Sequence, residues 1–551
     1  MAKSLTGNIT LYLLLISLTL FSCKTGIKKS ELVSTKSFNV PVLKGKADNP
    51  VLRIACEAGL DEETVNAISL NLGDSKLKIL KSIRIYYTGQ DSIFKTEVKF
   101  GDLKIISNNI LIKGSQLLEH GRNFFWVSYE LTENASLTEM VSAKLNFIQT
   151  VNKKLTAVNN SENLELRTGV AVRQHGQDNV HTYRIPGLTT TNNGTLLAIY
   201  DVRRDGGSDL QGNIDIGVSR SIDGGNSWEP MRIALDMGEW GGLPQKFNGV
   251  SDANILVDRN TGDIFIAGLW MHGVINAEGI WQKNLNEDSK EWNHQWRNKG
   301  SQPGFGVKQT SQFILTKSTD DGQTWSKPIN ITKMCKKSEW WLWAPAPGHG
   351  ITLDDGTLVF PTQGRDKNGE TFSNITYSKD DGRTWKTSNI AYHNTTENMA
   401  VQLSDKSIML NMRDNRNRQE KGIKNGRAIA TTNNLGETWV EHETSHGALI
   451  ECVCMASIHK HVFTDKNGKR QSVLFFSNPN SKYKRHKQTI KVSLDDGKTW
   501  PEKYWIELDE GRGAGYSCIT SINENTIGIL YEGSQAQMTF QAIDITNIIG
   551  K

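Results

Sequence analysis

An octapeptide of the form Ser-x-Asp-x-Gly-x-Ser/Thr-Trp recurs along the second part of this chain and constrains its fold more than any other feature. Complete copies occupy residues 221–228, 318–325, 378–385 and 493–500, and a weakened fifth copy at 432–439 has Asn434 in place of the aspartate. In such a turn the Asp side chain accepts hydrogen bonds from backbone N–H groups, the glycine takes a positive φ, and the tryptophan packs between neighbouring sheets. Since small sheets repeated around an axis form a propeller, we interpret the copies as structural and assign them no catalysis.

A second repeat consists of short apolar runs, each typical of a buried strand. Turn-forming pairs such as Asn193-Gly194 and Asp355-Gly356 precede most of them, which favours a hairpin entry into the strand. The runs are residues 195–200, 263–268, 357–360, 407–410, 472–476 and 526–531. They predict an all-β fold whose main part is a six-bladed β-propeller over residues 166–551.

The residues ahead of the propeller predict a smaller unit, because 551 residues exceed what one ordinary core holds. Residues 77–87 and 124–129 alternate between apolar and polar as half-buried strands do. We expect a β-sandwich-like accessory domain over residues 24–150 and a polar linker over residues 151–165. The chain has 64 basic and 59 acidic residues, a near balance that gives no reason to expect a nucleic-acid partner.

The N-terminus has the composition of an export signal. Lys3 precedes an apolar stretch over residues 11–21 that is too short to cross a bilayer and ends at Ser22-Cys23. Residues 20–23 also resemble the cleavage box of bacterial lipoproteins, in which the cysteine becomes the lipidated first residue. We expect a signal sequence over residues 1–23, a lipid anchor at Cys23, and export to the periplasm or outer membrane. Ordinary cleavage after Ser22 or nearby is the alternative.

Beyond Cys23 the chain has five cysteines, an odd number that cannot pair fully within one chain. Cys452-Val453-Cys454 fits the alternation of a strand and lacks the spacing of a metal-binding C-x-x-C. Buried thiols without disulfides are therefore the preferred interpretation. Since the sequence has no H-E-x-x-H, P-loop or dinucleotide-binding pattern, we expect neither a cofactor nor a metal.

Tyr183-Arg184-Ile185-Pro186 stands just ahead of the first predicted propeller strand. A Tyr/Phe-Arg-Ile-Pro element followed by several Asp-containing octapeptides resembles the bacterial exo-α-sialidases (neuraminidases), six-bladed propellers that remove terminal sialic acid. The similarity extends from Thr168 to the C-terminus, and the preceding region is similar, through far less specific motifs, to an accessory domain of some members. The resemblance implies sialylated glycans as the partners of this chain.

The resemblance places three arginines around the carboxylate of sialic acid. That carboxylate is ionised at neutral pH, and the planar fork of a guanidinium suits it. The matching positions are Arg184, Arg413 in the segment 410–415, and Arg485 in the segment 478–486. Arg485 stands in a basic run where Lys484 competes for the role, and a surface charge or structural ion pair is the alternative for each arginine.

A tyrosine nucleophile is also implied by the resemblance. The substrate's own carboxylate would repel an attacking carboxylate but not a neutral phenol, provided that a base takes the phenolic proton. The matching residues are Tyr516, which follows Gly513 and Gly515, and the base Glu397. The alternatives are a packed aromatic ring for Tyr516 and a partner of an arginine for Glu397.

The resemblance implies that Asp209, 25 residues after Arg184, is the general acid, which protonates the leaving oxygen and then activates water. It lies in a polar segment where Gly206 and Gly207 allow the loop to close on a substrate. Asp205 in the same segment is its competitor.

Two further substrate contacts follow from the resemblance. Arg203 matches a residue on the hydroxyl side of the sugar, with Arg204 as its competitor, and Asp252 matches one on the N-acylamino side. A turn or an ion pair is the alternative role for Asp252. The tryptophan cluster at residues 340–343 forms either an aromatic wall of the site or packing between blades.

Together these matches predict a retaining exo-α-sialidase that hydrolyses terminal sialic acid from glycoconjugates through a covalent tyrosyl intermediate. One rival hypothesis is a trans-sialidase or a sialidase that forms an anhydro product. The other is a non-catalytic propeller that binds glycans. The presence of all the matched residues in plausible order argues against the second rival, because a scaffold has no use for that set.

Overall fold

The computed structural model of the protein describes residues 33–549 except 74, 76, 105–106, 158–163, 211 and 273–299. The predicted export signal and the lipid site at Cys23 therefore lie outside the described residues. Strands dominate this part of the chain, as the turn-rich sequence predicts, and the α-helices within it are α1 (Thr332–Cys335) and α2 (Thr546–Ile549). Short 3-10 turns are Leu77–Ile79, Gln177–Asn179, Gln245–Phe247, Asn415–Arg418 and Glu502–Tyr504. Among the described residues no helix has the length and apolar character that a membrane crossing requires.

The N-terminal region forms two antiparallel sheets that share one hydrophobic core. The first has the strand order β1 (Val33–Ser37), β3 (Asn49–Ala58), β8 (Gly121–Leu131), β5 (Leu80–Tyr87) and β6 (Lys99–Leu103). The second has the order β11 (Lys154–Leu155), β10 (Lys144–Thr150), β4 (Thr64–Asn71) and β7 (Asn109–Leu117). Ile54 and Phe125 from one sheet and Ile68 and Ile112 from the other are buried in this core. Strand β11 lies within the segment expected to be a linker and extends the second sheet.

Six further sheets follow, each built mainly from consecutive strands. Sheet 1 contains β13 (Thr182–Thr190), β14 (Leu196–Arg203), β15 (Ile214–Ser221) and β16 (Arg232–Leu235). Sheet 2 contains β17 (Val250–Val257), β18 (Ile264–Trp270), β19 (Gln312–Ser318) and β20 (Ile329–Asn330), with β22 (Gly348–His349) parallel to β17. Sheet 3 contains β21 (Leu342–Pro345), β23 (Ile351–Thr352), β24 (Leu358–Arg365), β25 (Thr371–Ser378), β26 (Lys386–Thr387) and β27 (Tyr392–His393).

The last three sheets complete the set. Sheet 4 contains β28 (Thr395–Gln402), β29 (Ile408–Asp414), β30 (Ala428–Thr432) and β31 (Val440–Glu441). Sheet 5 contains β32 (Ser457–Thr464), β33 (Arg470–Pro479), β34 (His486–Ser493) and β35 (Ile506–Arg512). Sheet 6 contains β36 (Ser517–Asn523), β37 (Thr526–Tyr531), β38 (Met538–Asp544), β12 (Leu166–Arg173) and β2 (Val42–Lys44), with β9 (Met140–Val141) also paired to β12.

The six predicted apolar runs fall in six different sheets, in strands β14, β18, β24, β29, β33 and β37. Inner strands of successive sheets contact one another around a closed ring, in the order β13, β17, β24, β28, β32, β36 and back to β13. Sheet 6 closes the ring, because β12, which precedes sheet 1 in the chain, pairs with the C-terminal strand β38. Strand β2 adds the N-terminal region to the same sheet.

The repeated octapeptides form the turns that follow the third strand of sheets 1 to 5, as the sequence predicts. In the first copy Asp223 accepts a hydrogen bond from the Ser227 amide at 2.9 Å, and Trp228 packs 5.1 Å from the ring of Phe540 in sheet 6. The fifth copy has the same bond, because the side-chain oxygen of Asn434 accepts from the Thr438 amide at 3.0 Å. A neutral amide oxygen therefore makes the same turn hydrogen bond as the carboxylate.

The cysteines beyond Cys23 carry no disulfide, and all but the half-buried Cys452 are buried, in agreement with the preferred interpretation. The expected strand at Cys452-Val453-Cys454 is wrong. The segment is a bend in which Val453 has φ 60°, so the backbone leaves the extended region there.

Candidate active site

Several inner strands have irregular pairing at the same end of the ring. At each of these places the register between the strand and its partner shifts, and such a β-bulge turns a side chain away from the sheet. Arg184, Asp252 and Glu397 each lie within one of the irregular stretches, so the three side chains point towards a common space. The shifts lie at residues 184–187 of β13, 251–254 of β17 and 395–398 of β28.

A cavity of about 450 Å³ opens at this end of the ring. Seven predicted site residues line it, namely Arg184, Asp209, Asp252, Glu397, Arg413, Arg485 and Tyr516. One wall is apolar and consists of Leu210, Leu269, Leu342 and Ala344. A second part of the lining, the polar wall, includes Gln363, Arg365, Thr371, Asn394, Thr396, Asn415 and Arg418. The structure thus brings together residues that are separated by up to several hundred positions along the chain.

Tyr516 and Glu397 form the centre of the site. The phenolic hydroxyl donates a short hydrogen bond to Oε1 of Glu397, and Oε2 of the same carboxylate accepts one from Nη1 of Arg413. Arg413 Nη1 also lies 3.1 Å from the phenolic oxygen. All three side chains are largely buried, since Tyr516 and Glu397 are 6% and 7% exposed and the Arg413 side chain is 13% exposed. The carboxylate is therefore positioned to take the phenolic proton without any rearrangement.

The other two predicted arginines flank the same ring. The guanidinium carbon of Arg184 lies 5.3 Å from the centre of the Tyr516 ring, and that of Arg485 lies 5.4 Å from it. Arg485 donates to the carbonyl oxygens of Ala514 at 2.8 Å and Val453 at 3.4 Å, which do not neutralise its charge. Its competitor Lys484 is exposed and absent from the residues that line the cavity. Three guanidiniums from different sheets therefore surround one phenol.

The surroundings favour the neutral phenol and the charged guanidinium. Burial raises the pKa of Tyr516 well above its usual value, and the Glu397 carboxylate adds to this, whereas Arg413 and Arg485 oppose it. Burial works against the charge of Arg413, but Glu397 and Tyr516 outweigh it, so the pKa of Arg413 is raised. The tyrosine thus stays protonated until a reaction removes its proton to the adjacent carboxylate.

Glu532 is a site residue that the sequence analysis missed. Its buried carboxylate accepts from Nε of Arg184 and from the backbone amides of Ile185 at 2.9 Å and Tyr516 at 3.0 Å. One side chain therefore holds both the first arginine and the backbone of the tyrosine in place. Glu532 belongs to no recognisable motif. The sequence feature that could have identified it is its position directly after the apolar run 526–531, at the end of a predicted strand, where loop residues often contribute to sites.

Asp209 lies at the cavity with 47% of its side chain exposed, on the loop after β14. Arg203 contacts its carboxylate at 2.6 Å but is itself 1% exposed and does not line the cavity among the described residues. Asp201 and the carbonyl of Gly207 hold the rest of that guanidinium. Strand β14 directs Arg203 inward, where it supports Asp209 from behind, and its contact with the sugar stays a prediction. The competitor Asp205 is exposed and outside the lining.

Asp252 lines the cavity beside Asp209 and has φ 57°, a conformation that few non-glycine residues adopt. Loss of solvent around its carboxyl raises the pKa of Asp252 well above the usual value, and the nearby carboxylates of Asp209, Asp201 and Glu397 raise it further. A protonated Asp252 is able to donate a hydrogen bond into the cavity.

None of the tryptophans at 340–343 lines the cavity; Trp340 and Trp343 pack in the core, and the half-buried Trp341 donates its indole N–H to the Lys367 carbonyl at 3.1 Å. Trp343 stacks 4.5 Å from Phe313, and Trp340 lies 4.7 Å from Phe372. The residues between and after them, Leu342 and Ala344, face the cavity instead. Strand β21 alternates its side chains, so it places Leu342 and Ala344 at the site and the ring of Trp343 in the core.

One group of potential metal ligands lies near the rim of the site. Atoms of Asp366, Glu370 and His393 lie within 4.8 Å of one another, and the glutamate and histidine are exposed. The Asp366 carboxylate already accepts hydrogen bonds from the amides of Asn368 and Glu370, at 2.8 and 3.0 Å. These turn contacts account for the carboxylate's position without an ion.

Two family models match the sequence. One, described as a BNR repeat-like domain, matches residues 185–510, which is more than half of the chain. The other, described as the N-terminal domain of BNR-repeat neuraminidase, matches residues 30–154.

Known sialidases resemble the chain over 64% to 97% of its length. A sialidase of Bacteroides fragilis (strain YCH46) is 41% identical over 97% of this chain and 99% of its own length. A sialidase of Clostridium perfringens is 30% identical over 64% of this chain and 86% of its own length. The solved structure of Hadza microbial sialidase Hz136 superposes with a TM-score of 0.83 at 36% identity, over 94% of this chain and 100% of that one.

Proposed function

Because this chain belongs to the bacterial sialidases with BNR repeats, which are glycoside hydrolases, we propose that it is a retaining exo-α-sialidase that releases terminal sialic acid from glycoconjugates. The observation that carries the proposal is the hydrogen bond between Tyr516 and Glu397 within a group of three guanidiniums. A glycan-binding scaffold needs cations to hold a carboxylate, but it has no need for a phenol paired with a base at the same point.

Arg184, Arg413 and Arg485 hold the carboxylate of the substrate. Their guanidiniums stay charged at any physiological pH, and their forked donors match the two oxygens of a carboxylate. Glu532 orients Arg184, while the carbonyls of Ala514 and Val453 orient Arg485. The anchored carboxylate places the anomeric carbon over the phenolic oxygen.

Tyr516 attacks the anomeric carbon, and Glu397 takes the phenolic proton as the bond forms. A neutral phenol approaches this carbon without the repulsion that a second carboxylate would meet from the substrate. The cost of forming a phenolate at a buried position is avoided, because the proton leaves during the attack. As the proton moves, negative charge passes from the Glu397 carboxylate towards the phenolic oxygen, and Arg413, which contacts both groups, stabilises it.

Asp209 donates a proton to the leaving oxygen and then removes one from water. Its half-exposed position on a loop allows it to reach both the leaving group and solvent. The activated water displaces Tyr516, which recovers its proton from Glu397. Two inversions at the same carbon give net retention.

The shape of the cavity supports action on a terminal sugar. It is a cavity of about 450 Å³, and its lining includes the apolar wall and the polar wall. The apolar wall suits the methyl group of an N-acyl substituent, next to Asp252. The polar wall suits the hydroxylated side chain of the sugar.

The architecture behind this site is proposed to be a six-bladed β-propeller with a β-sandwich-like accessory domain. The closed ring of contacts between inner strands of six sheets supports the propeller, and two sheets around one core support the sandwich. The proposed boundaries are residues 24–150 for the accessory domain, 151–165 for the linker and 166–551 for the propeller.

We also propose that the protein is exported. A basic start, a short apolar stretch and a lipoprotein-like box support export to the periplasm or outer membrane with a lipid at Cys23. Labelling with a radioactive fatty acid tests this, because a Cys23→Ala variant should lose the label. Label retained by that variant would contradict the anchor.

The experiment that tests the activity is incubation with sialyllactose isomers, followed by separation of the products. Hydrolysis gives free sialic acid, transfer gives a sialylated acceptor, and an intramolecular reaction gives an anhydro sugar. We expect free sialic acid, with the α-anomer appearing first in the proton NMR spectrum because the mechanism retains configuration. First appearance of the β-anomer would disprove retention, and binding without product would favour a glycan-binding scaffold.

A further inference from the structure

A strongly basic surface borders the cavity between sheets 4 and 5. It consists of residues 415–426, which follow β29, and residues 480–487, which follow β33, and we call these two segments the basic rim. They contain eight lysines and arginines and one acidic residue, Glu420, whereas basic and acidic residues nearly balance over the whole chain. Asp414 pairs with Arg416, which leaves most of this positive charge without a carboxylate among the described residues. A surface with such an excess of one charge attracts ligands of the opposite charge.

The two segments of the basic rim are bound to each other. Lys421 donates from Nζ to the carbonyl of Asn417 in its own segment and to that of Lys482 in the other, the latter at 2.9 Å. Lys482 donates in return from its Nζ to the carbonyl of Gly422. Because carbonyl oxygens are neutral acceptors, these bonds fix the segments without neutralising either ammonium group.

Buried asparagines hold the first segment against the ring of sheets. Asn417 donates from Nδ2 to Oε1 of Glu451 at 2.7 Å, and Asn425 donates from Nδ2 to the Glu451 carbonyl at 3.0 Å. All three residues are 0% exposed. The backbone of the basic rim is therefore ordered before a ligand arrives, so binding does not have to pay for ordering it.

The basic rim continues the cavity outwards. Arg418 and Arg485, one from each segment, line the cavity. Lys484 directly precedes Arg485 but is exposed and lies outside the lining. Lys424, near the end of the first segment, is exposed as well. A ligand that fills the cavity and extends across the rim therefore meets guanidiniums inside and ammonium groups outside.

We propose that the basic rim binds a second sialic acid, the penultimate unit of an oligosialyl chain, while the terminal unit occupies the cavity. The inference rests on the proposed function, in which Arg485 helps to hold the carboxylate of the terminal sugar. Every unit of such a chain carries a carboxylate, so the group to which the terminal sugar is joined is itself anionic. Lys484 and Lys424 are the exposed cations placed to hold that second carboxylate.

The chemistry of the basic rim suits an anionic unit better than a neutral one. A neutral sugar gives the exposed ammonium groups no more than water does, whereas a carboxylate forms charge-assisted hydrogen bonds with them. Lysine also suits a position outside the cavity, because its ammonium group is a point charge on a flexible stem and does not require one fixed geometry. The terminal unit is therefore held by the rigid forks of the arginines, and the second unit by charges that adapt to it.

The test is calorimetric binding to the full-length protein with Tyr516→Phe, which should bind sialosides without cutting them. The two ligands are sialyllactose, with one sialic acid, and disialyllactose, in which a second sialic acid is joined to the first. We expect disialyllactose to bind roughly threefold to tenfold more tightly, because one or two exposed ion pairs contribute about this much. The difference should shrink at high salt, which screens exposed charges. Equal Kd values for the two ligands at low salt would overturn the proposal.

Two double variants make the result specific. Lys424→Glu combined with Lys484→Glu should abolish the preference for disialyllactose, since both exposed cations become anions. Lys466→Glu combined with Lys469→Glu changes the net charge by the same amount at exposed positions between β32 and β33, at the other end of these strands, and should keep the preference. A preference that survives in the rim variant, or is lost in the control, would overturn the proposal.

Failure of the proposed function is distinguishable from failure of this inference. A wild-type protein that hydrolyses no sialoside would count against the sialidase proposal alone, because the ratio of Kd values still reports the second unit. If Tyr516→Phe cuts the ligands, the ratio of kcat/KM values for the two, compared between the wild type and the rim variant, decides in the same way.

A third ligand tests the identity of the second anion. Sialyllactose with a sulfate on its galactose carries an additional charge but no second sialic acid. We expect the basic rim to give it less affinity than disialyllactose. Tighter binding of the sulfated ligand, with no gain for disialyllactose, would show that a second sialic acid is the wrong occupant and overturn the proposal.

Discussion

The octapeptide turns and the cavity belong to the same sheets but are built in opposite ways. Each turn closes on itself, as when Asp223 binds the amide of Ser227 four residues ahead. The cavity joins distant parts of the chain, as when Arg184 meets Glu532 across 348 positions and Tyr516 meets Glu397 across 119. The turns are repeated because any sheet can use them, whereas each sheet gives the cavity a different residue. Change in a turn should therefore affect stability, and change in the cavity should affect activity.

The largest expected effect is that of Tyr516→Phe, which removes one oxygen from the centre of the cavity. Loss of a nucleophile should lower kcat by roughly 10³-fold or more, because the remaining groups bind substrate but do not form the covalent bond. Steady-state kinetics on sialyllactose measures this, and the unfolding midpoint should change little. Tyr483→Phe, at an exposed tyrosine, is the matched control and should behave like the wild type. Hydrolysis at the wild-type rate by Tyr516→Phe would show that Tyr516 is not the nucleophile.

A smaller effect is expected from Glu532→Gln, which tests whether a residue behind the cavity positions the arginine. The amide keeps the shape but loses the charge that holds Arg184, so KM should rise roughly tenfold or more while kcat falls less. Because the side chain is 3% exposed, the variant should also lose stability. Kinetics and urea unfolding together separate the two effects. An unchanged KM would show that Arg184 does not depend on Glu532.

The free energy of unfolding should fall in acid because of a histidine buried within the ring of sheets. Burial lowers the pKa of His349 to about 4 from its ordinary value of 6.5, so the folded state binds fewer protons than the unfolded state between these values. Its contribution to stability is complete above pH 6.5 and is lost as the pH falls towards 4. Urea unfolding at a series of pH values should show a shallower loss for His349→Phe than for the wild type. Parallel curves would mean that His349 does not titrate on unfolding.

A still smaller effect is expected at an octapeptide turn. Asp320 accepts from the amide of Thr324 at 2.9 Å, and Asp320→Ala should lower the free energy of unfolding by about 1–2 kcal/mol while kcat/KM stays the same. Asp320→Asn is the matched control and should stay within about 0.5 kcal/mol of the wild type, because Asn434 already makes the equivalent bond. A loss of activity in Asp320→Ala without unfolding would contradict the division between turns and cavity.

The two regions also differ in how far the sequence predicted them. The turn geometry, the all-β content and the six apolar runs are visible as local patterns, and the structure forms them at the expected positions. The convergence of Arg184, Arg413 and Arg485 on Tyr516 was expected from the resemblance to sialidases, and the structure places these side chains around one cavity. Their chemical roles stay predictions until the variants are measured.

For three predictions the observed positions depend on tertiary contacts, which a local sequence pattern does not show. Arg203 was expected at the sugar, yet the direction of β14 buries it against Asp201 behind Asp209. Trp343 was a candidate for the wall of the site, yet the alternation of β21 places it in the core. The strand expected at 452–454 is a bend, because the buried Arg427 fixes the backbone there.

The sequence by itself determined the repeated unit, since a turn closed within a few residues is specified by the residues that form it. Tertiary structure alone decided which side chains face the cavity and which stand behind them. The contact of Glu532 with Arg184 depends on where separate sheets meet around the ring. Such contacts arise from the packing of whole strands, and the sequence around each residue does not indicate which distant residue it will contact.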